Sequence, residues 1–431
     1  MATRVIDDNK LNNIATAIQA KDSGGQMTVD EMPNRIEALN VVKPEVEEKD
    51  VNFYDYDGTL LYSYTFSEAT QLLELPEMPE HKGLTAQEWN WTLSDIAEQV
   101  GEGYELDAGV SYITTDGHTK IFMRLISPYF LNPTISFTIN GNLSLTIDWG
   151  DGTTPDVISS STNLSHNWQF TQFPCDVLID IAPDDGGGNF YFANNNSSLF
   201  DSGVDANYYK SCVEKIYIGG KVIAARRGNF SGLTNLKIIT IPNTIQDWSY
   251  SHGIVRDNAS LKFLCLPRGI THAKDYAFSH LYSLKIISVP ITLLTLYADG
   301  INYSICEHYY ASYKGAAICG RAGFDHCYFM NKFNFPKYVT AIQYGEFQNT
   351  NIQSINIPKQ ITKIGPSSFY DCVYLYLIDL SDYDDPNNIP TLDNVNAFRN
   401  TPANKVLLVR NQEMLDAFTQ ATNWSTYADR F

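Results

Sequence analysis

Basic side chains are scarce in this 431-residue chain: 30 Lys and Arg stand against 49 Asp and Glu, a net charge of −19. No basic stripe interrupts that acidity, so nothing is available to neutralise phosphates, and nucleic-acid binding is excluded. Long apolar runs are lacking too. The longest fall far short of a bilayer's width, so membrane insertion is not expected. The opening Met1-Ala2-Thr3-Arg4-Val5-Ile6-Asp7-Asp8 has no apolar core of a secretory signal, and none is expected. Cysteine is sparse and odd in number, seven with no Cys-x-x-Cys pair, which reads as buried apolar residues of a reducing compartment. The eight histidines form no HExxH spacing, and GxSxG and P-loop motifs are missing. No catalytic residue, cofactor or metal ligand is therefore expected, and the chain reads as a non-enzyme. Asp148/Asp151 and Asp180/Asp184/Asp185 are expected to form turns rather than to bind Ca²⁺.

Aromatic residues, in contrast, are abundant at 13%, with 27 Tyr and 22 Phe. Such rings serve equally as a binding surface or as filling for β-rich cores. The acidity is uneven, with 21 acidic and 7 basic side chains in residues 1–105.

The pattern along the chain predicts a mainly β, multidomain protein with four parts: a helical anchor and linker (1–50), a small α+β module (51–105), a β-sandwich (106–204) and a repeat solenoid with a C-terminal cap (205–431). In the first, Leu11, Ile14, Ala15 and Ile18 fall on one helical face, Gly24-Gly25 ends it, and Thr28-Val29-Asp30-Glu31 has the form of a capping box. So narrow a stripe must dock to persist. Leu11, Ile14, Ile18, Met32 and Ile36 are the expected assembly contacts. The second part opens with a hairpin around Asp57-Gly58, where both turn positions are expected at positive φ. A helix from Ser67 to Leu75 follows, and Trp89 and Trp91 anchor the module.

Between 106 and 204 short alternating runs predict strands. Thr134–Ile139 and Leu143–Ile147 read as a hairpin around Asn140-Gly141. Asp148-Trp149-Gly150-Asp151-Gly152-Thr153, then His166-Asn167-Trp168, then Val177–Ile181 resemble the polycystic-kidney-disease type of immunoglobulin-like sandwich. The match covers about 60 residues, with Trp168 where that family has Tyr. The resemblance implies a spacer or ligand presenter.

The strongest signal is an internal repeat. Leu236–Pro242, Leu261–Pro267, Leu284–Pro290, Met330–Pro336, Ile352–Pro358 and Leu375–Ser381 share an LxxLxL form, with last positions advancing by 25, 23, 46, 22 and 23. The 46 hides a degenerate copy around Leu293–Tyr313. Phe230, Phe278, Phe324, Phe347 and Phe369 keep the same beat. Each copy supplies one strand whose alternate residues (Ile239/Ile241, Leu264/Leu266) point inward, and stacking buries the edges. The repeats resemble leucine-rich repeats of the bacterial surface-antigen type. Val406–Val409 and a helix over Gln412–Thr422 read as the cap.

The outward positions form two columns. The first runs Ile238, Phe263, Ile286, Lys332, Ser354, Leu377, and the second Thr240, Cys265, Ser288, Asn334, Asn356, Asp379. Three successive apolar members in the first imply either a contact surface or cover by another domain or subunit. The expected partner-binding face is Ile238, Thr240, Phe263, Ile286, Ser288, Lys332, Asn334, Asn356 and Asp379.

Asp55-Tyr56-Asp57-Gly58-Thr59-Leu60 matches the DxDGT motif of haloacid-dehalogenase phosphatases, but the resemblance stops at six residues. Val51-Asn52-Phe53-Tyr54 alternates where that family needs a continuous apolar strand. A hairpin turn is expected instead. Lys10–Ala15 with Met27–Pro33, Phe53–Leu61 with Trp89–Leu93, and Ala421–Ser425 resemble tail-associated proteins of bacteriophages and prophages. That resemblance implies a virion structural protein of the tail or baseplate, made in the bacterial cytoplasm and released by lysis. Its partners would be other tail proteins, a host-surface glycan or protein, and further copies of itself, with trimers among the options. The alternative is a bacterial cell-surface leucine-rich-repeat adhesin.

Overall fold

Strand β1 (Val51–Tyr54) lies at the centre of a four-stranded sheet with β2 (Leu60–Tyr64), β3 (Leu84–Trp89) and β4 (Leu106–Thr114), in the order β2-β1-β4-β3. β1 and β4 are parallel and the other pairs antiparallel. The computed structural model describes residues 49–192, 199–200, 205–223, 230–245, 255–297, 299–306, 309–310, 321–331 and 333–431. The expected anchor residues Leu11, Ile14, Ile18, Met32 and Ile36, and Lys332 of the expected binding face, lie outside the described residues.

The expected boundary at 105/106 does not hold, because β4 completes the first sheet. Both of its faces are covered, so it carries no clean period-two pattern to mark its side. One face packs with Phe53, Trp89, Ile96 and Val100, where Phe53 and Trp89 meet edge to face at 4.9 Å. The β1–β2 connection is longer than a two-residue turn: Asp55 N–H donates to Thr59 O and Gly58 N–H to Asp55 O, and Gly58 alone takes positive φ.

The expected helix from Ser67 shrinks to α1 (Phe66–Ala69), one turn held by a Thr65/Glu68 capping box. Leu75 and Met78 instead pack against the module core. A short helix persists only where a whole face docks. α2 (Leu93–Gly101) has that support through Ile96 and Val100, and a Thr92/Asp95 capping box starts it.

The sandwich consists of β5 (Thr119–Leu125), β6 (Thr134–Gly141), β7 (Leu145–Asp148), β8 (Asp156–Ile158), β9 (Thr162–Ser165), β10 (Cys175–Pro183) and β11 (Gly188–Phe192). β6 pairs with β11 and β9, whereas β7 pairs with β10 and β8 in the opposite sheet. The hairpin expected at Asn140-Gly141 is thus a crossing between sheets. An apolar face repeating every two residues is buried equally well beside a neighbour or across from it, so periodicity could not separate the two.

After α3 (Ala206–Cys212), β12 (Val213–Tyr217) joins β5 antiparallel and β13 (Ile238–Thr240) joins β12 in parallel, giving the order β13-β12-β5-β10-β7-β8. The boundary expected at 204/205 is therefore crossed by one continuous sheet, and residues 48–431 form a single compact unit. Beyond it the expected solenoid is present. Parallel strands Phe263–Cys265 and Ile286–Ser288, then Ser354–Asn356, Leu377–Asp379 and Val406–Leu408, form one side of the coils. Ile239, Leu264, Ile287, Ile355, Ile378 and Leu407 point inward and are buried. Pro242, Pro290 and Pro358 follow their strands, and at each of them and at Pro336, before which no strand forms, the carbonyl accepts the N–H three residues on.

The aromatic beat becomes a stack. Phe324, Phe347, Phe369 and Phe398 follow one another at 5.5, 5.4 and 5.3 Å with planes 8° apart. Ile301 takes the corresponding place in the degenerate repeat, and its N–H donates to Gly323 O as Phe324 N–H does to Glu346 O. The same bend recurs at Tyr276/His280, Asp299/Tyr303, Ala322/His326 and Ser367/Asp371, all at positive φ. α4 (Gln412–Gln420) and Trp424 close the C-terminal end, burying Phe418 and Trp424. Val406–Leu408, expected in the cap, is a further strand of the repeat sheet.

Candidate functional site

The outward column of the solenoid meets the first module. Tyr54 packs on Phe263 with ring centroids 5.7 Å apart, and Phe263 is only 4% exposed. The approach is close enough to demand glycine on the module side. A Cβ on Gly109 would lie 2.6 Å from Cys265 Sγ, and one on Gly58 2.8 Å from Phe263 Cβ. Asn90 then ties the layers, its Nδ2 donating to Leu266 O and Ser288 Oγ (both 2.9 Å) while its Oδ1 accepts from Gly109 N–H. Ser288 Oγ donates to Asp107 O, and Trp91 Nε1 to Val289 O.

This geometry corrects the expected binding face. Phe263, Ser288 and Thr240 are buried within the chain, with Thr240 Oγ1 accepting from Ile218 N–H. Ile238 and Ile286 are half-buried beside them. The apolar column is covered by the chain's own first module, the second of the two outcomes its composition allowed. The module ends in a polar rim: Tyr104 OH donates to Phe335 O, Asn334 Nδ2 to Glu105 Oε2, and Lys337 pairs with Glu102 at 2.7 Å. Asn334 is exposed but already engaged.

Past that rim the same side of the coils, here the separate sheet of Ser354–Asn356, Leu377–Asp379 and Val406–Leu408, is open. Asn356 is exposed and Asp379 half-buried, its Oδ1 accepting from Ser381 N–H. Around them Leu377, Val406 and Leu408 are 37%, 49% and 44% exposed, with Leu377 opposite Val406 and Asp379 opposite Leu408 across one strand pair. A cleft of about 360 Å³ lies on one side, between Tyr104, Phe335, Asn356 and Gln360. Another of about 830 Å³ lies on the other, lined by Lys359, Asp384, Leu408 and Arg410. Hydrogen bonding from Lys359 and its charge, with Arg410 nearby, hold the Asp384 carboxyl below its usual range. Val406 and Leu408 escaped the sequence reading because their segment looked like a terminal cap. The LxL form in Leu407-Leu408-Val409, in register with Ile378-Asp379-Leu380, was the available signal.

Apolar contact and hydrogen bonding are what this surface offers chemically. The described cysteines are free, and burial pushes the thiols of Cys265, Cys327 and Cys372 up to about 12, 11 and 11, far from nucleophilic. Asp55 is buried, accepting from Tyr112 OH (3.0 Å) and Tyr56 N–H (2.8 Å) with His81 Nε2 at 2.7 Å, and Asp57 Oδ1 accepts Thr59 N–H within the turn. Asp148 and Asp184 likewise accept from Gly150 and Gly186 N–H in turns. Asp116, His118 and Asp180 converge, and Lys120, which pairs with Asp116 and lies 4.0 Å from Asp180, offsets part of their charge.

Residues 204–306, 256–376 and 311–418 match the family described as BspA type Leucine rich repeat region, in six copies. Residues 204–418 are a BspA-type leucine-rich-repeat region. This BspA-type region includes the stacked phenylalanines, every outward strand position and the open half of the sheet. No curated protein matches the chain. Among solved structures, a leucine-rich repeat protein from Bacteroides ovatus ATCC 8483 is 18% identical, over 51% of this chain and 60% of that one, with a TM-score of 0.32. A leucine rich cell surface protein from Faecalibacterium prausnitzii A2-165 is 16% identical, over 49% of this chain and 64% of that one, with a TM-score of 0.31. The chain thus spans under two thirds of either.

Proposed function

We propose that this chain is a non-enzymatic recognition protein of the BspA-like bacterial-surface kind, which holds a protein or glycan ligand on the open half of its repeat sheet. One observation carries the reading: the strand side of the coils is covered by the first module as far as Asn334, then left bare where Leu377, Val406 and Leu408 surround Asn356 and Asp379. A bare apolar cluster rimmed by polar groups on a rigid scaffold is the composition of a contact surface. The sandwich serves as a spacer joined to the repeats by a shared sheet. The repeat-family match supports this reading over the virion-tail one, whose motifs in residues 10–33 lie outside the described residues.

The test compares the wild-type chain with a Leu377→Ser, Val406→Ser, Leu408→Ser triple variant on glycan arrays and on immobilised host-cell surface proteins. Specific binding by the wild type, lost in a variant with an unchanged unfolding midpoint, supports the proposal. Binding that survives the triple substitution places the ligand elsewhere and defeats it.

A further inference from the structure

A third cleft, of about 860 Å³, runs beside β3, between that strand and residues 75–81. β3 is the terminal strand of its sheet, so one side of its backbone has no neighbouring strand among the described residues. The register says which groups point that way. Thr115 N–H donates to Gly83 O and Asn90 N–H to Gly109 O, which marks both pairs as hydrogen-bonded. Counting inward, Ala86 opposite Tyr112 and Trp89 opposite Val110 are the intervening pairs, so their N–H and C=O point away from β4. Leu84 shares this direction, and its N–H is taken by His81 O at 3.2 Å.

The facing wall cannot satisfy the rest. It reads Leu75-Pro76-Glu77-Met78-Pro79-Glu80-His81, and its two prolines have no N–H to give a ladder. Two of its carbonyls take side-chain donors instead: Pro76 O accepts from Trp89 Nε1 at 2.8 Å and Pro79 O from Tyr112 OH at 3.2 Å. The wall is thereby tethered to β3 and β4 by side chains and, at Leu84, by the His81 carbonyl, while among the described residues the main-chain edge at Ala86 and Trp89 is left unused. Glu77, Glu80 and Glu88 line the cleft, and among the described residues His81 is the one basic side chain on its lining, with Nε2 already on Asp55.

We propose that this cleft binds an extended peptide as a fifth strand on β3, with lysine or arginine side chains reaching the Glu77 and Glu80 carboxylates. Main-chain bonds supply the hold, and the acidic rim selects the charge. This site is separate from the open repeat face and does not depend on the function assigned there.

The probe is a blocked heptapeptide of alternating lysine and valine, titrated calorimetrically into the full chain. Saturable binding is expected, weakened roughly threefold to tenfold in E77Q/E80Q. Methylation of the peptide's amides on the pairing edge should weaken it by about tenfold or more. Ala86→Pro, which removes an outward N–H without removing a bond to β4, should act like the methylated peptide. Absence of saturable binding overturns the proposal. So does equal affinity for the methylated peptide, which would reveal charge attraction without strand pairing, or equal affinity for a glutamate–valine peptide.

Discussion

Asn90 and Ser288 stand 198 positions apart in the chain, yet Asn90 Nδ2 lies 2.9 Å from Ser288 Oγ and 3.3 Å from Ser288 O. Both residues are fully buried. Through this pair the module's β3–α2 connection and β4 are bound to two adjacent coils at once, since Asn90 also reaches Leu266 O and Gly109 N–H.

Asn90→Ala should therefore destabilise the chain by about 1–3 kcal/mol, because it leaves buried donors and acceptors of Gly109, Leu266 and Ser288 short of partners. Urea unfolding checks this. An unchanged midpoint would mean that water replaces the amide and the two layers are not held there.

Gly109→Val is expected to separate the module from the coils, since even a Cβ at that position would lie 2.6 Å from Cys265 Sγ. The readout is thiol labelling. Cys265, inert in the parent with its thiol pushed up by burial, should react readily in the variant while the other buried cysteines stay protected. Equal labelling of parent and variant would show that the layers accommodate the side chain.

Phe263→Ser should lower stability by about 3–5 kcal/mol, comparable with a large core truncation. Its column looked like a binding face in the sequence, where the same change would leave unfolding untouched. Phe347→Ala, which breaks the stack between Phe324 and Phe369, belongs in the same range. Thermal and urea unfolding of both variants separates these expectations.

Acid should weaken the sandwich through Asp151. Burial by itself would raise this carboxyl, but hydrogen bonds from the Thr153 hydroxyl, His166 and the N–H groups of Thr153 and Gln169 outweigh it and bring it down to about 2. A carboxyl depressed in the folded state stabilises fully above its unfolded value of about 3.9, and that contribution fades as pH falls toward 2. Urea midpoints of the wild type should therefore decline from pH 4 to pH 2 more steeply than those of Asp151→Asn. Parallel profiles would show that Asp151 does not carry the effect.

Much of the fold was legible because repetition leaves a local record. The LxxLxL–Pro segments and the phenylalanine beat name the residues that point inward, and Ile239, Leu264, Ile287, Ile355 and Ile378 do so. The capping boxes at Thr65 and Thr92 act within four residues of themselves, yet the sequence reading named neither and missed the helix that Thr92 starts.

Partner choice was not local. β6 and β7 alternate alike yet lie in different sheets, and β4 looks like a sandwich strand yet completes the first module. The free and covered halves of the repeat sheet are built from similar outward residues. Phe263 and Leu377 occupy the same column, and what separates their fates is the presence of Tyr54 and β4 over one and the rim at Tyr104 and Glu105 before the other.

The order of residues alone determined that the C-terminal half must coil, since each repeat has an apolar edge that only its neighbours can bury. Which part of the resulting surface stays available was decided by tertiary packing. Burial free energy depends on the total area removed from water, not on how far apart in the chain the two sides lie. A module joined to the solenoid through the whole sandwich could thus claim Phe263 and Ser288, leaving the face at Asn356, Leu377, Val406 and Leu408 for something else to meet.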